Sequence, residues 1–204
     1  TMDLMQSMAK SGELAELAPD RIWRETERAL SEQNPEVFFR LLHTLGAGKA
    51  MYPLQLSETA ISRLAIAQSR FEDTVRRWAA LTGGDFSLEP PYRAAIPKRY
   101  LTTSKLVLSL INHGPPASAE EALALLETLD AFRQGSHSED ALAVVGCIDG
   151  EFTSADLSKV RATKGIAEVI SGGEFAAHGL KGVDIKQAVR KKRITAAEHL
   201  FKLL

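Results

Sequence analysis

The sequence predicts an all-α fold, an irregular array of many short helices. Apolar residues recur at intervals of three, four or seven along most of the chain, which is the period of a helix with one buried face. No segment shows sustained period-two alternation, and residues that begin or end helices separate the segments. At 204 residues the chain is long enough to bury a sizeable core, as one domain or two small subdomains.

Two consecutive helices are the best-marked elements, and they lie between Pro19 and Gly46. Pro19 suits the first turn of a helix, where its missing N–H costs nothing. Asn34 is predicted to cap the second helix with its side chain, and Pro35 to open it. Gly46 supplies the left-handed residue that commonly follows a helix.

These two helices have predicted apolar and basic faces. At 100° per residue, the apolar arc of the first helix contains Ile22, Trp23, Thr26, Ala29 and Leu30. Arg21, Arg24 and Arg28 lie on the opposite face. The predicted core face of the second helix contains Val37, Phe38, Leu41, Leu42 and Leu45. We expect Trp23 to be a structural anchor, since aromatic residues at helical spacing are usually core residues.

A longer helix is predicted from Ser57 to Thr82, with a buried seam and an outer basic side. The seam contains Ile61, Leu64, Phe71, Val75, Trp78 and Leu81, and the residues predicted to lie outside it are Arg63, Arg70, Arg76 and Arg77. A further helix is predicted from Pro97 to Gly114. Pro115-Pro116 then breaks the chain, which divides it into residues 1–114 and 115–204.

The second half carries several serine or threonine residues that are each followed three positions later by an acid. Four such pairs are predicted to start capped helices: Ser118 with Glu121, Ser136 with Glu139, Thr153 with Asp156, and Thr195 with Glu198. The first of them is expected to open a helix that runs to about Gln134. Two short helices are predicted at the end, one from about Asp184 to Lys192 and one from Thr195.

Two blocks of the sequence resemble a known family. From Met2 to Pro53 they are the LMQSMAKSGEL entry, the PDRIWRETERAL helix and the NPEVFFRLLHTLGA helix ending near MYP; at the C-terminus the block is GLKGVDIKQAVRKKRI. These resemble the neck and the tail of the bacterial CCA-adding tRNA nucleotidyltransferases and the related poly(A) polymerases. The resemblance implies neck and body helices followed by a small helical tail, in a cytoplasmic protein.

In that family a catalytic head precedes these segments, and its residues have no counterpart here. The head opens with a glycine-glycine-x-valine-arginine-aspartate loop and holds its metal ions with two aspartates one residue apart. This chain has no Asp-x-Asp, and its Gly83-Gly84-Asp85 is followed by Phe86. We therefore expect no catalytic residue, no cofactor and no nucleotide addition in this chain. The resemblance implies that Mg²⁺ and CTP or ATP are bound by the head, which is then a partner of this chain.

Other chemistry is not predicted. None of the five histidines is followed by aspartate, so the His-Asp pair of the phosphohydrolase domain found in some family members is missing, and no metal site is expected. The segment RWAALTGGD lies roughly where that pair would fall, so the interpretation as a decayed phosphohydrolase module stays open.

The single cysteine, Cys147, excludes an internal disulfide and fits a reducing compartment. No apolar run reaches membrane length.

A net charge of −1 means that any nucleic-acid surface must be local, and two basic features are candidates. The first is the face with Arg21, Arg24 and Arg28, which the resemblance places near the nucleotide pocket and the incoming acceptor end. Helical ion pairs with Glu25 and Glu27 are the alternative interpretation. The second is the tail, whose candidate RNA-binding residues are Lys181, Lys186, Arg190, Lys191 and Arg193. Cations late in a short helix also favour its dipole, so a structural role stays open there.

The function predicted for the chain is that of the C-terminal, RNA-binding portion of a tRNA nucleotidyltransferase. It would hold the acceptor and T-arm stem of tRNA while the missing head adds CCA. An A-form stem hides its base edges in a deep groove, so recognition should use phosphates, 2′-hydroxyls and shape. The alternative is a stand-alone helical adaptor that binds protein, or a decayed phosphohydrolase-like module.

Overall fold

The computed structural model describes residues 16–52, 56–84, 93–133, 137–148 and 152–201, together with the single positions 7, 135 and 150. Within these ranges the chain forms helices, turns and loops, and no strand, which confirms the all-α prediction. The helices are α1 (Pro19–Ser31), α2 (Pro35–Thr44), α3 (Gly48–Met51), α4 (Glu58–Gln68), α5 (Thr74–Thr82), α6 (Lys98–His113), α7 (Ala119–Thr128), α8 (Ser138–Ile148), α9 (Ser154–Val169), α10 (Gly173–Ala177) and α11 (Val183–Phe201).

The predicted starts of α1 and α2 are confirmed, and one predicted cap is wrong. Pro19 and Pro35 each occupy the first turn of their helix, and Gly46 has a φ of +68°. The side chain of Asn34, however, makes no capping hydrogen bond. Because Pro35 has no N–H, the first turn of α2 has one backbone N–H fewer that needs a hydrogen-bond acceptor.

The core face predicted for α2 is confirmed only in part: Leu42 is buried, and Phe38 and Leu45 pack against the core, but the face is centred differently. The buried residues of this helix are Pro35, Phe39 and Leu42, whereas Val37 is 60% exposed. Both sides of α2 are apolar, so periodicity alone does not select between them. Phe39 is buried because it faces the aromatic centre of the core, with its ring centroid 6.3 Å from that of Tyr52.

The single helix predicted from Ser57 to Thr82 is two helices. The cap on Ser57 is confirmed, since its Oγ accepts a hydrogen bond from the Ala60 N–H at 3.1 Å. The chain then leaves the helix after Gln68 and re-enters it at Thr74. The Asp73 side chain accepts from the Arg76 N–H at 3.0 Å, so a second cap starts α5 where one continuous helix was expected.

This break changes the position of Arg77, which is buried and not on the outer side as predicted. Its Nη1 donates to the carbonyl oxygens of Leu30 at 2.7 Å and Glu32 at 3.0 Å, at the C-terminal end of α1. Its Nε donates to the Phe71 carbonyl at 2.6 Å. The last carbonyls of a helix have no partner within it, so Arg77 supplies donors that the end of α1 lacks.

In the second half, the predicted capping signals are partly confirmed. The Ser118 Oγ accepts from the Glu121 N–H at 3.1 Å, although α7 ends at Thr128, earlier than expected. Thr153 and Asp156 form a complete capping box at the start of α9. The pair that begins at Ser136 lies outside the described residues.

The two short C-terminal helices predicted from the sequence are one continuous helix, α11. The signal for a new start at Thr195 is overridden by tertiary packing. Ala197 is fully buried, and α11 packs against α9 and α7, so a break at this point would remove apolar surface from the core.

The core consists of two apolar clusters that share α5. Trp78 of α5 lies in the first cluster with α1 to α4, and Ala79 and Ala80 lie in the second cluster with α6 to α9. Val107 of α6 and Val145 of α8 meet in the second cluster, so helices from both sides of residue 114 pack together. The division of the chain at this residue stays a prediction. Within the described ranges, no helix combines the length and apolar character needed to cross a membrane.

Candidate nucleic-acid interface

The arginines of α1 form an exposed basic surface, which we call the arginine strip: Arg21, Arg24 and Arg28. The apolar arc on the opposite side of α1 is buried as predicted, including Trp23 at 5% exposure. Glu25 and Glu27, the predicted helical partners, form no ion pair with the strip. Throughout the described part of the chain, no acidic side chain forms an ion pair with any of the three arginines.

Glu27 instead joins α1 to α6. Its Oε1 lies 3.3 Å from Arg99 Nη2 and accepts a hydrogen bond from the Tyr100 hydroxyl. Burial of Tyr100, followed by its bond to this carboxylate, raises the pKa of the phenol. The Tyr100 hydroxyl thus stays protonated and keeps donating to Glu27. The carboxylate of Glu27 forms its ion pair with Arg99 and not with an arginine of the strip.

Buried aromatic residues fix the position of α1 beneath the strip. The ring centroids of Trp23 lie 5.3 Å from Trp78 and 4.6 Å from Tyr100, both edge to face. The Thr26 Oγ1 lies 2.6 Å from the Tyr52 hydroxyl and donates to the Ile22 carbonyl at 2.7 Å. Burial raises the pKa of Tyr52 to about 12, so the hydroxyl remains neutral in this contact. The strip therefore lies on a rigid helix.

Three of the predicted tail residues are exposed lysines, which we call the tail lysines: Lys181, Lys186 and Lys191. Lys181 lies just before α11, and the other two lie on it. In the ranges that the structure describes, none of the three is paired with a carboxylate. Their charges are available to an anionic ligand.

The two predicted tail arginines are engaged within the protein. Arg190 Nη1 lies 3.0 Å from Glu120 Oε1, and Arg190 Nε lies 3.4 Å from Glu127 Oε2. Its bond to Glu120 is the main cause that raises the pKa of this guanidinium. Arg193 Nη2 donates to the Ile170 carbonyl at 3.1 Å, and its guanidinium lies 4.9 Å from the Phe132 ring centroid. Both residues hold α11 in place, and RNA contact by them stays a prediction.

Sequence reasoning did not identify Glu120 and Glu127 as positioning residues. They lie 70 and 63 residues before Arg190, so no local spacing relates them to it. Both carboxylates are on α7, seven positions apart, and therefore lie on the same face of the helix. This spacing is the one sequence signal that α7 presents an acidic face to a basic helix.

No catalytic cluster is evident in the described part of the chain. No three His, Cys, Asp or Glu side chains there lie close enough to hold a metal ion. Cys147 is half-buried, and burial raises the pKa of its thiol, which disfavours the reactive thiolate. The geometry thus offers charged surfaces for binding.

In comparisons with known proteins, a family model matches the region that carries the strip, and curated relatives match nearly the whole chain. A family model described as "Probable RNA and SrmB-binding site of polymerase A" matches residues 1–58, which contain the arginine strip. A CCA-adding enzyme from Marinobacter nauticus is 31% identical over 98% of this chain and 58% of its own length. A CCA-adding enzyme from Pseudomonas putida is 30% identical over 96% of this chain and 55% of its own length. A multifunctional CCA protein from another strain of that species is 30% identical over 97% of this chain and 56% of its own length.

The chain therefore spans a little over half the length of the curated relatives it matches. No solved structure matches it. The all-α fold and these matches define a helical portion related to tRNA nucleotidyltransferases. These matches confirm the resemblance to CCA-adding enzymes and poly(A) polymerases that was predicted from the first and last blocks of the sequence.

Proposed function

We propose that this chain is the RNA-binding portion of a tRNA nucleotidyltransferase, acting in the cytoplasm. In this proposal it holds the acceptor and T-arm stem of tRNA while the catalytic head domain of the family adds nucleotides. One observation carries the proposal: the segment that matches a probable RNA-binding site presents three exposed arginines, and no carboxylate in the described ranges neutralises them.

The chemistry of the strip suits an RNA backbone. A guanidinium donates two parallel hydrogen bonds to phosphate oxygens and keeps its charge at all physiological pH values. Arg24 and Arg28 are one helical turn apart, so both can face one strand of a stem. With a net charge of −1 on the whole chain, attraction must come from such local surfaces.

The tail lysines supply a second basic surface on the same molecule. Arg190 and Arg193 remain proposed RNA-binding residues, but each would first have to leave an interaction within the protein. We therefore expect the tail lysines to contribute more to the electrostatic part of binding than these two arginines do.

Neutralising either surface is expected to weaken RNA binding through its charge. The variants are Arg21/Arg24/Arg28→Gln for the strip and Lys181/Lys186/Lys191→Gln for the tail. Each should lower the slope of log affinity against log salt by about 0.7–0.9 per lost phosphate contact, measured by salt titration with a tRNA minihelix. Preference among stems of different sequence should not change, because phosphate contacts carry no base information.

A matched control is Arg40→Gln. Arg40 is an exposed arginine of α2 whose Nε lies 3.8 Å from Glu58 of α4, so its charge is already paired with a carboxylate. This variant should bind the minihelix like the wild type. Equal affinities and slopes for all four proteins, or no minihelix binding by the wild type, would contradict the proposed function.

A second candidate function, protein binding, is favoured by a shallow apolar groove between α1 and α2. Val37, Phe38 and Leu41 of α2 line it together with Ala29 of α1, and Arg28 of the strip lies at its side. The partner we propose for it is the head domain. Val37→Gln should weaken association with a separately produced head domain, measured by calorimetry. Because it adds no charge beside Arg28, which also lines the groove, it should leave minihelix affinity unchanged. An unchanged association would remove the groove from that contact.

A further inference from the structure

A cleft of about 390 Å³ lies between the first turns of α6 and the segment that joins α7 to α8. Cationic side chains reach it from both sides: Lys98 and Arg99 from α6, and Arg133 from the joining segment. His137 and the Thr102 hydroxyl add further polar groups, and Asp130 is the one carboxylate among the described lining residues. Arg133 lies more than thirty positions after Lys98 and Arg99 in the sequence, which is why no local pattern predicts this cleft.

Two of the three cationic groups of the cleft, those of Lys98 and Arg133, are available to a ligand. Lys98 is exposed, and within the described ranges it pairs with no carboxylate. Arg133 Nη1 lies 3.4 Å from Asp130 Oδ2, with side chains 77% and 67% exposed. An exposed pair of this kind contributes little stability, so its partners exchange readily for a ligand.

The backbone adds positive potential at the same place. α6 is 16 residues long, and Pro97, which precedes it, provides no side-chain cap. The first N–H groups of a helix have no partner within it, and they carry the positive end of the helix dipole. Lys98 and Arg99 are the first two residues of α6, so their N–H groups and their side chains act together on an anion.

The cleft continues the arginine strip. Arg99 lines the cleft, and its Nη2 lies 3.3 Å from Glu27 of α1. Glu27 follows Arg24 by three residues, so the two side chains are neighbours on the surface of α1. The Glu27–Arg99 ion pair therefore connects the helix that carries the strip to the wall of the cleft.

We propose that this basic cleft binds phosphate groups of the RNA backbone, as a third contact beyond the strip and the tail. The inference rests on the proposed function, because continuity with the strip is what favours an RNA strand over a free anion. Lys98 and Arg133 hold the phosphates from opposite walls, and Asp130 opposes them.

Two variants of opposite sign test the cleft. Lys98→Ala/Arg133→Ala should weaken minihelix binding by about fivefold per lost contact at 0.15 M salt and lower the salt slope by about 0.7–0.9 for each. Asp130→Asn should tighten binding, because it removes the opposing charge. Asp130 has a φ of +50°, a conformation that asparagine tolerates, so this variant keeps the backbone shape.

The outcomes separate the cleft from the proposed function. A gain for Asp130→Asn together with a loss for the double variant supports the cleft, since a structural role alone would not tighten binding. If both bind like Arg40→Gln while the strip variant weakens, the cleft proposal fails and the proposed function stands. If the strip and tail variants are also unchanged, the proposed function fails. Should the double variant not fold, Lys98→Gln and Asp130→Asn still decide the matter.

Discussion

Replacing Trp23 by alanine is expected to lower the free energy of unfolding by about 3–5 kcal/mol. Trp23 is 5% exposed, and its ring contacts Trp78 and Tyr100 edge to face, so the change removes a large apolar side chain and both aromatic contacts. Urea unfolding followed by circular dichroism measures the loss. RNA binding should survive at temperatures where the variant is folded, because the indole does not reach the surface.

Two further variants bracket this result. Trp23→Phe should cost less, because it keeps an aromatic ring and removes an indole N–H that is buried without an acceptor in the described structure. Val37→Ala, at an exposed apolar position of the neighbouring helix, should change stability by no more than about 0.5 kcal/mol. A melting temperature unchanged by Trp23→Ala, with weakened RNA binding, would show that the indole contacts RNA.

Arg77→Ala should destabilise the chain by about 3 kcal/mol or more. The change leaves the carbonyls of Leu30, Glu32 and Phe71 without the donors they have now, and a buried acceptor without a partner costs about 1–3 kcal/mol. Chemical denaturation with urea is the appropriate measurement, since guanidinium salt would screen charge. Arg77→Lys should recover little, because an ammonium group cannot copy the fork of a guanidinium.

The comparison for Arg77 is Arg70→Ala. Arg70 is an exposed arginine in the turn before α5, and its removal should change stability by no more than about 0.5 kcal/mol. If the two variants were equally stable, Arg77 would not be an anchor of α1.

Elements that carry local signals, such as caps, could be predicted from the sequence. Their buried faces could be predicted where one face of a helix is clearly more apolar than the other. The arc of α1 is one such face, and it contains the residues that the structure buries. Ser118 and Thr153 are similar cases, because a cap involves residues only three apart. These features depend on neighbours along the chain, which a sequence displays directly.

Features set by distant contacts were missed. The buried row of α2 was assigned only partly correctly, because both of its sides are apolar and contact with Tyr52 selects Phe39 over Val37. Arg77 was placed outside because the break before Thr74 changes the rotation of α5. Asp73 before Thr74 is a local capping signal, so the sequence did contain evidence for the start of α5.

The candidate site follows the same division. The exposed position of the strip was predictable from the periodicity of one helix, whereas the absence of its expected ion pairs was not, because Glu27 pairs with Arg99, 72 residues away. In the tail, the lysines and the arginines looked equivalent. Arg190 differs from Lys186 because of two carboxylates on another helix, which no local pattern reveals.

The position of α5 between the two apolar clusters has a consequence for how the chain opens. With nine residues, this helix is shorter than the roughly 12–15 residues at which isolated helices become marginally stable in water. If one cluster separated, α5 would lose the burial of one side and with it the packing that keeps it helical. Loss of either cluster should therefore carry the other with it, so the two form a single cooperative unit in hydrogen exchange. The strip on α1 and the basic cleft beside α6 both lie on helices of that unit, so they keep a constant separation for as long as the chain is folded.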